Sequence, residues 1–418
     1  MDSIKEFELT DMQYSFFISR SNENEQIRCC HAFFEFENEN LDIERFKKAF
    51  EKVFLKHPML RICIINGKQR ILDKTKYNKI NVFDLSNKCI EDALDEIKNI
   101  RKSLEYRVMR VEKGQIIGLT ICLLPNKKVR IMYDIDLIGC DVQSFIYILQ
   151  DISEIYLNKE CTTFKDEVDF NDYIVKRKNL EQKNQKYWDK KILYMSNGPI
   201  LPANNLKITN EFCNLSFELN KDEVEKLKRI SKERKIKIEV LLLTVYIKVI
   251  AMKSKNKHFI INIPTFYRNT NIGNMSKAIG DFSDLMLLDV DCTYSDELEY
   301  LIKVVNKEFN EISFNQPYSG IKILRKLNVI SENTKKAPIV FSYHVDPPLV
   351  SKEIKECFGE LKYLINQTPG ALIDFQIYQI EDKYKLCWIF PKDYFEESFI
   401  TNIFNLYKKI IMGLINEQ

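Results

Sequence analysis

Residues 129–156 read VRIMYDIDLIGCDVQSFIYILQDISEIY, and our interpretation of the chain starts from this stretch. Its first four residues are mostly apolar and β-prone, which predicts a strand over residues 129–132. Its last part carries apolar residues at helical spacing, which predicts a helix over residues 143–156. Three acids lie between the two elements: Asp134, Asp136 and Asp141. Because a buried carboxylate is costly unless it is paired or hydrogen-bonded, this turn is a candidate site.

The composition is that of a soluble globular protein. The chain has 418 residues, of which 45% are hydrophobic and 29% charged, and this length predicts two or three domains. The 63 basic and 60 acidic side chains leave a net charge of +3. This near-balance, with lysines spread along the chain, gives no reason to expect a nucleic-acid or membrane partner.

The cysteines indicate a cytoplasmic protein. There are 11 cysteines and no C-x-x-C pair, so reduced and mostly buried thiols are the simplest interpretation. The N-terminal residues are polar and lack the apolar core of a signal peptide. No uninterrupted apolar run reaches the length that spans a membrane.

Strands and helices alternate in both halves of the chain, which predicts an α+β fold made of two lobes. Residues 197–205 (NGPILPANN) are rich in turn formers and mark the predicted boundary. We therefore expect an N-terminal lobe over residues 1–195 and a C-terminal lobe over residues 196–418.

The acids of residues 129–156 fit the pattern D-x-x-x-x-D-x-x-S through Asp136, Asp141 and Ser144. By spacing alone, a polar loop that caps the following helix through Asp141 or Ser144 is as good an interpretation as a functional site.

Five further segments, in chain order, strengthen the functional interpretation. Together with the acidic turn they resemble the motifs of heterocyclization domains, which belong to the condensation-domain superfamily of nonribosomal peptide synthetases. Condensation domains carry H-H-x-x-x-D-G at this turn, whereas their heterocyclization relatives carry D-x-x-x-x-D-x-x-S. The other segments are FELTDMQY (7–14), KHPMLR with Gly67 and Gln69 downstream (56–69), GDFSDL (280–285), PIVFS (338–342) and TPGALID (368–374).

The resemblance implies two chloramphenicol-acetyltransferase-like lobes arranged in a V with a central tunnel. Substrates would arrive on the phosphopantetheine arms of upstream and downstream peptidyl or acyl carrier proteins. The chain itself would bind no metal and no cofactor. It would condense a small-molecule acyl thioester with carrier-bound cysteine, serine or threonine, and then cyclodehydrate the product to a thiazoline or oxazoline. The chain is expected to be either free-standing or part of a larger synthetase.

The resemblance places the catalytic aspartate at Asp374 and a hydroxyl at Ser342. Cyclodehydration needs a proton acceptor for the attacking thiol or hydroxyl and a proton donor for the departing oxygen. A buried carboxylate beside a hydroxyl can do both. Without the family, Ser342 is an ordinary strand serine and Asp374 an acid that pairs with a nearby Arg or Lys.

The resemblance gives the other motif residues structural roles. Asp136 and Asp141 would hold the tunnel wall, with Arg268 of the second lobe as one partner for Asp141. Ser144 would cap the helix, and Thr368 opens the T-P segment.

Three departures from the family motifs leave the second step open. Tyr267 stands where the family often has asparagine, Gly370 replaces a glutamine, and Ile389 replaces the acid of a W-D pair. Condensation without ring closure therefore remains an alternative, as does a non-catalytic scaffold that docks carriers. An acetyltransferase that uses histidine and coenzyme A is disfavoured because the histidine motif is absent.

Overall fold

The structure, a computed structural model, describes residues 6–21, 30–73, 79–105, 107–158, 169–204, 211–268, 275, 277–330, 337–368 and 370–417. Its strands are β1 (Glu6–Glu8), β2 (His31–Asn38), β3 (Ile62–Ile65), β4 (Lys68–Ile71), β5 (Asn81–Asp84), β6 (Ile117–Leu123), β7 (Val129–Asp136), β8 (Phe212–Leu219), β9 (His258–Phe266), β10 (Ser283–Asp291), β11 (Ile339–His344), β12 (Glu360–Gln367), β13 (Ile373–Ile380) and β14 (Lys383–Pro391). Its α-helices are α1 (Asp11–Ser21), α2 (Ile43–Lys56), α3 (Ile90–Leu104), α4 (Val142–Tyr156), α5 (Phe170–Lys191), α6 (Lys221–Glu233), α7 (Ile238–Lys253), α8 (Leu298–Phe314), α9 (Gly320–Ile330), α10 (Lys352–Phe358) and α11 (Glu397–Asn416).

The chain forms two compact units that are not contiguous in sequence. Unit 1 consists of Met1–Lys176, Arg268–Phe282 and Val350–Pro369, and unit 2 consists of Arg177–Tyr267, Ser283–Leu349 and Gly370–Gln418. This division differs from the predicted boundary between residues 195 and 196. The turn formers of residues 197–204 lie in a loop within unit 2. Pairing of β12 with β2 places a late segment of the chain in unit 1.

Unit 1 is built on a five-stranded sheet with the order β12-β2-β7-β6-β5. Alternation along β2 sends Phe34 to one face, where its ring stacks on Phe145 of α4 at a centroid distance of 4.1 Å. Its neighbour Phe33 packs on the other face, in a core cluster that includes Ile97 and Ile100 of α3. The sheet is therefore covered by helices on both faces.

The turn into β12 depends on Gly359. This residue has a φ of +86°, and an added Cβ would lie 2.0 Å from the carbonyl oxygen of Glu37 in β2. Only glycine fits so close to the backbone at a positive φ. Sequence reasoning missed β12 and the preceding helix α10, because the partner strand is more than 300 residues away in the chain.

Asn66-Gly67, a dipeptide typical of two-residue hairpin turns, joins β3 to β4. Both residues have positive φ, 54° and 72°, as a two-residue type I′ turn requires. Strand β4 also pairs with β1, so the three strands form a small sheet with the order β1-β4-β3.

Unit 2 is built on a six-stranded sheet with the order β10-β9-β11-β13-β14-β8. Helix α7 is apolar on all sides and buried, and it packs with α6, α8 and α11. An aromatic cluster joins these helices to the sheet: Tyr246 of α7 lies 5.0 Å from Phe375 and 5.2 Å from Trp388, between ring centroids. Phe375 thus faces the helices, and its neighbours Asp374 and Gln376 face the opposite side of the sheet.

No helix in the described part of the chain combines the length and apolar character needed to cross a membrane.

A buried ion pair anchors α4 to the end of α2. Asp151 of α4 lies 2.7 Å from His57 Nε2 and accepts a hydrogen bond from Lys56 Nζ at 2.9 Å. Burial acts to raise the pKa of the Asp151 carboxyl, but the hydrogen bonds and charges of His57 and Lys56 outweigh it, so the pKa lies below its ordinary value. A carboxyl whose folded pKa is depressed stabilises the fold above its unfolded pKa.

We expect Asp151→Asn to lower the thermal midpoint at pH 7 by roughly 4–8 °C, from a loss of about 2 kcal/mol. The deficit relative to wild type should begin to shrink as the pH falls below about 4, where the carboxylate of the unfolded chain takes up a proton, and should vanish once the folded carboxylate is protonated as well. Thermal unfolding between pH 3 and 8 measures both effects. The control is Asp95→Asn, the same change at an exposed ion pair with Lys98, which should shift the midpoint little. An Asp151→Asn deficit that is constant at all pH values would contradict this account.

Candidate active site

Helix α1 begins with a capping box that also supports the acidic turn. Thr10 Oγ1 accepts a hydrogen bond from the Gln13 amide, and Gln13 Oε1 accepts one from the Thr10 amide, both at 3.0 Å. Gln13 Nε2 then donates to the carbonyl of Ile138 at 2.8 Å, and Gln69 Nε2 donates to Gln13 Oε1 at 2.8 Å. Two glutamines of separate motifs therefore meet beneath the turn.

Asp134 and Asp136 lie in β7 and not in the turn, which corrects the prediction that placed them there. Both are fully buried and ion-paired. Asp134 receives a two-pronged contact from Arg107, with Nη2 at 2.8 Å from Oδ1, and Asp136 pairs with Arg20 of α1. Arginines from elsewhere in unit 1 neutralise these acids, and the strand therefore continues through them.

Asp141 is the N-cap of α4 and the partner of Arg268, as the sequence suggested. Its side chain accepts a hydrogen bond from the Ser144 amide at 2.6 Å and from the Phe282 amide at 3.0 Å. Arg268 donates to both carboxylate oxygens, at 2.9 and 3.0 Å. The guanidinium also lies 4.2 Å from the centroid of the Phe282 ring. By its contacts Arg268 belongs to unit 1, although it follows the predicted lobe boundary in sequence.

Ser144 does not cap the helix, which corrects a second prediction. Its hydroxyl donates to the carbonyl of Gly280 at 2.8 Å and accepts from Arg268 Nη2 at 2.7 Å and from the Gly280 amide at 3.1 Å. The Asp141 amide donates to the same Gly280 carbonyl at 3.1 Å. A Cβ at position 280 would meet the Phe170 ring at 2.6 Å. The D-x-x-x-x-D-x-x-S and G-D-F motifs thus form one hydrogen-bonded unit.

The remaining predicted motif residues are Tyr267 and Thr368. Tyr267 is buried at the end of a unit 2 segment, and the guanidinium of Arg177 lies 5.5 Å from its ring centroid. Thr368 is half-buried in unit 1, directly after β12.

The two predicted catalytic residues share one face of the unit 2 sheet. Strands β11 and β13 are parallel neighbours, with Ser342 paired in register to Gln376 and Val340 to Asp374. Paired residues and residues two apart on a strand point to the same face. Ser342, Asp374 and Gln376 are therefore on the face opposite the helices, and all three are buried. We call this surface the polar face.

Sequence reasoning missed four further residues of the polar face. Gln376 Nε2 donates to Asp374 Oδ2 at 2.7 Å, and Tyr378 Oη donates to Gln376 Oε1 at 2.5 Å. His344 stacks on Tyr378 at 5.4 Å, and Asn262 of β9 pairs in register with Val340. The alternation of Asp374, Gln376 and Tyr378 with apolar residues was the available signal.

Cys387 also lies on the polar face, paired in register with Gln376. Burial raises the pKa of its thiol to about 12, so the thiol stays protonated and is a poor nucleophile. The polar face therefore offers a carboxylate, a hydroxyl and carboxamides, a set suited to proton transfer and to holding an amide. Among the residues that the structure describes, no group of three or more His, Cys, Asp or Glu side chains is placed to hold a metal ion.

We expect Arg268→Ala to destabilise the protein by about 3–5 kcal/mol, because it leaves the Asp141 carboxylate buried without its cation. Arg268→Lys should recover only part of this loss, since a lysine cannot donate the two-pronged contact. Urea unfolding monitored by circular dichroism measures the effect. Arg234→Ala is the matched control, since Arg234 pairs with the largely exposed Glu299 and its loss should cost at most about 1 kcal/mol. Equal stability of the Arg268→Ala and Arg234→Ala proteins would show that Asp141 does not depend on Arg268.

Known proteins that are similar in sequence match nearly the whole of this chain. Pyochelin synthetase PchE of Pseudomonas aeruginosa is 24% identical over 99% of this chain and 29% of its own length. Phenyloxazoline synthase MbtB of a Mycobacterium species is 24% identical over 95% of this chain and 34% of its own length. The chain thus spans about a third of the length of these curated relatives.

Solved structures show the same fold. The EpoB cyclization-docking bidomain from Sorangium cellulosum matches with a TM-score of 0.90 at 23% identity, over 98% of this chain and 85% of that one. This match confirms the predicted α+β fold of two chloramphenicol-acetyltransferase-like lobes, while their arrangement in a V around a tunnel stays a prediction. The family model described as Condensation domain matches residues 3–417. The chain therefore belongs to the condensation-domain family.

Proposed function

We propose that the chain is a heterocyclization domain of a nonribosomal peptide synthetase. It condenses an acyl thioester on an upstream carrier with the amine of cysteine, serine or threonine on a downstream carrier, and then closes a thiazoline or oxazoline ring. Two similar proteins support this, since one is a phenyloxazoline synthase and the other a cyclization-docking bidomain. The D-x-x-x-x-D-x-x-S network supports it as well, because Asp136 is held by Arg20 where condensation domains carry a histidine.

The observation that carries the proposal is the buried carboxylate of Asp374 on the polar face, beside Ser342 and Gln376. A carboxylate in the middle of a sheet is expensive to bury. At this position it has the neighbours that a proton-transfer group needs: a carboxamide that orients it and a hydroxyl on the next strand.

The proposed reaction has two steps. In the first step the amine attacks the upstream thioester, the carrier thiol leaves, and an amide forms. In the second step the side-chain thiol or hydroxyl attacks the amide carbonyl while Asp374 takes its proton. Asp374 then returns this proton to the oxyanion, which becomes a hydroxyl. Asp374 next takes the N–H proton and passes it to the hydroxyl, which leaves as water while the C=N bond forms. Ser342 and the carboxamides hold the amide during this step.

The departures at Tyr267, Gly370 and Ile389 are offset in part by the polar face. Gln376 and Asn262 place two carboxamides there, although neither belongs to the motifs that supported the resemblance. Ile389 pairs in register with Asp374, so the residue beside the carboxylate is apolar where the family carries an acid. This observation favours the second candidate, a domain that forms the amide without closing the ring.

The partners in this proposal are carrier proteins with phosphopantetheine arms, and we propose that the domain binds no cofactor of its own. A cytoplasmic location is part of the proposal. It is supported by the nine cysteines that the structure describes, which are all free thiols.

We expect Asp374→Asn to stop the reaction at the linear product. The test mixes the protein with an acyl-loaded upstream carrier and a cysteine-loaded downstream carrier, and follows the downstream carrier by intact-mass analysis. Wild type should transfer the acyl group and then lose one water. The Asn variant should transfer the acyl group normally and lose water at least about 100-fold more slowly, since it has no proton acceptor.

Asp382→Asn is the matched control, because Asp382 is an exposed acid in the turn between β13 and β14. It should behave as wild type in both steps. Transfer without water loss by the wild-type protein would favour the condensation-only candidate. Absence of transfer, with carriers independently shown to be loaded and to bind, would favour a scaffold.

A further inference from the structure

A hydrogen-bond chain runs along β13 from Tyr378 to Asp374. Tyr378 Oη donates to Gln376 Oε1 at 2.5 Å, and Gln376 Nε2 donates to Asp374 Oδ2 at 2.7 Å. Tyr378 and Gln376 are each 1% exposed and Asp374 is 3% exposed. Every link is therefore shielded from water. Hydrogen bonds are stronger in the protein interior than in water, so these links can fix the orientation of the side chains.

The chemistry of the three groups sets the direction of this chain. An ionised carboxylate only accepts hydrogen bonds, so Gln376 must turn its NH₂ group towards Asp374. The oxygen of the carboxamide then points to Tyr378, whose hydroxyl must donate. If the carboxamide turned over, its oxygen would face the carboxylate oxygen, an unfavourable contact between two acceptors. By donating to Gln376 Oε1, the Tyr378 hydroxyl supports the carboxamide orientation in which the NH₂ group faces Asp374.

The ring of Tyr378 is itself held in place. It pairs in register with His344 of β11, and the two rings stack at 5.4 Å with an interplanar angle of 26°. His344 also contacts the Phe266 ring of β9 at 5.4 Å. Packing from two neighbouring strands therefore fixes the position of the hydroxyl without help from the hydrogen bond.

We propose that Tyr378 is a positioning residue for the cyclodehydration step, acting on Asp374 through Gln376. It touches neither substrate nor reacting atoms. It keeps Asp374 in the form and orientation that accepts the proton of the attacking thiol or hydroxyl. This inference rests on the proposed function, because it assigns Asp374 the proton-transfer role.

The first test is Tyr378→Phe, which removes the hydroxyl and keeps the ring on His344. In the two-carrier mass assay, we expect water loss to slow about tenfold and acyl transfer to keep the wild-type rate. The matched control is Tyr384→Phe. Tyr384 is a buried tyrosine of the same sheet whose hydroxyl pairs with Tyr343 at 3.4 Å, but it faces the helices. The control should leave both rates unchanged.

The second test is a double-mutant cycle with Gln376→Ala. If Tyr378 acts through Gln376, Tyr378→Phe should slow water loss in the wild-type background and have no further effect in Gln376→Ala. A merely structural role would instead give additive effects and would slow both steps together.

Three results would overturn the inference: a wild-type rate of water loss in Tyr378→Phe, equal slowing of transfer and water loss, or additivity with Gln376→Ala. Failure of the proposed function has a different signature. Wild-type protein would then transfer the acyl group without ever losing water, and the role assigned to Tyr378 would fall with it.

Discussion

The ion pair between Arg268 and Asp141 is the interaction on which the organisation of unit 1 depends. A buried carboxylate demands a cation and several donors, and here it receives two contacts from Arg268 and two backbone amides. Those partners come from two distant parts of the chain, the start of α4 and the segment 268–282. The buried Asp141 carboxylate thus links the D-x-x-x-x-D-x-x-S motif to the G-D-F motif. Hydrogen bonds between Ser144 and Gly280 join the same two motifs.

Unit 2 also buries a carboxylate, Asp374, but surrounds it with different partners. Asp374 has a carboxamide as its neighbour and an apolar residue, Ile389, on the other side. In unit 1 the buried acids Asp134, Asp136 and Asp141 are ion-paired with arginines, which suits residues that hold structure. The candidate catalytic acid is distinguished by its place among the hydroxyl and carboxamide side chains of the polar face, whereas burial does not distinguish it, because all four acids are buried.

Local signals in the sequence predicted local structure well. Asn66-Gly67 is a dipeptide typical of hairpin turns, and the apolar spacing of residues 143–156 predicts α4. Both signals are reliable because turns and helices are determined by residues that are close in sequence. Three kinds of feature were out of reach. Asp134 and Asp136 were assigned to a turn because their arginine partners are distant in sequence, and β12 was missed for a similar reason. Gln376 and Tyr378 were overlooked because only the register of β11 and β13 shows which face they share with Ser342.

The late entry of β12 into unit 1 has a consequence for biosynthesis. Its residues, 360–367, leave the ribosome more than 300 residues after β2, the strand beside it in the described sheet. During that interval the nascent chain carries β2 with an open edge, a template for pairing with other chains. Completion of the five-stranded sheet must therefore wait until more than 300 residues after β2 have been synthesised, so a gene split between the predicted lobes would yield an N-terminal fragment with an unfinished sheet.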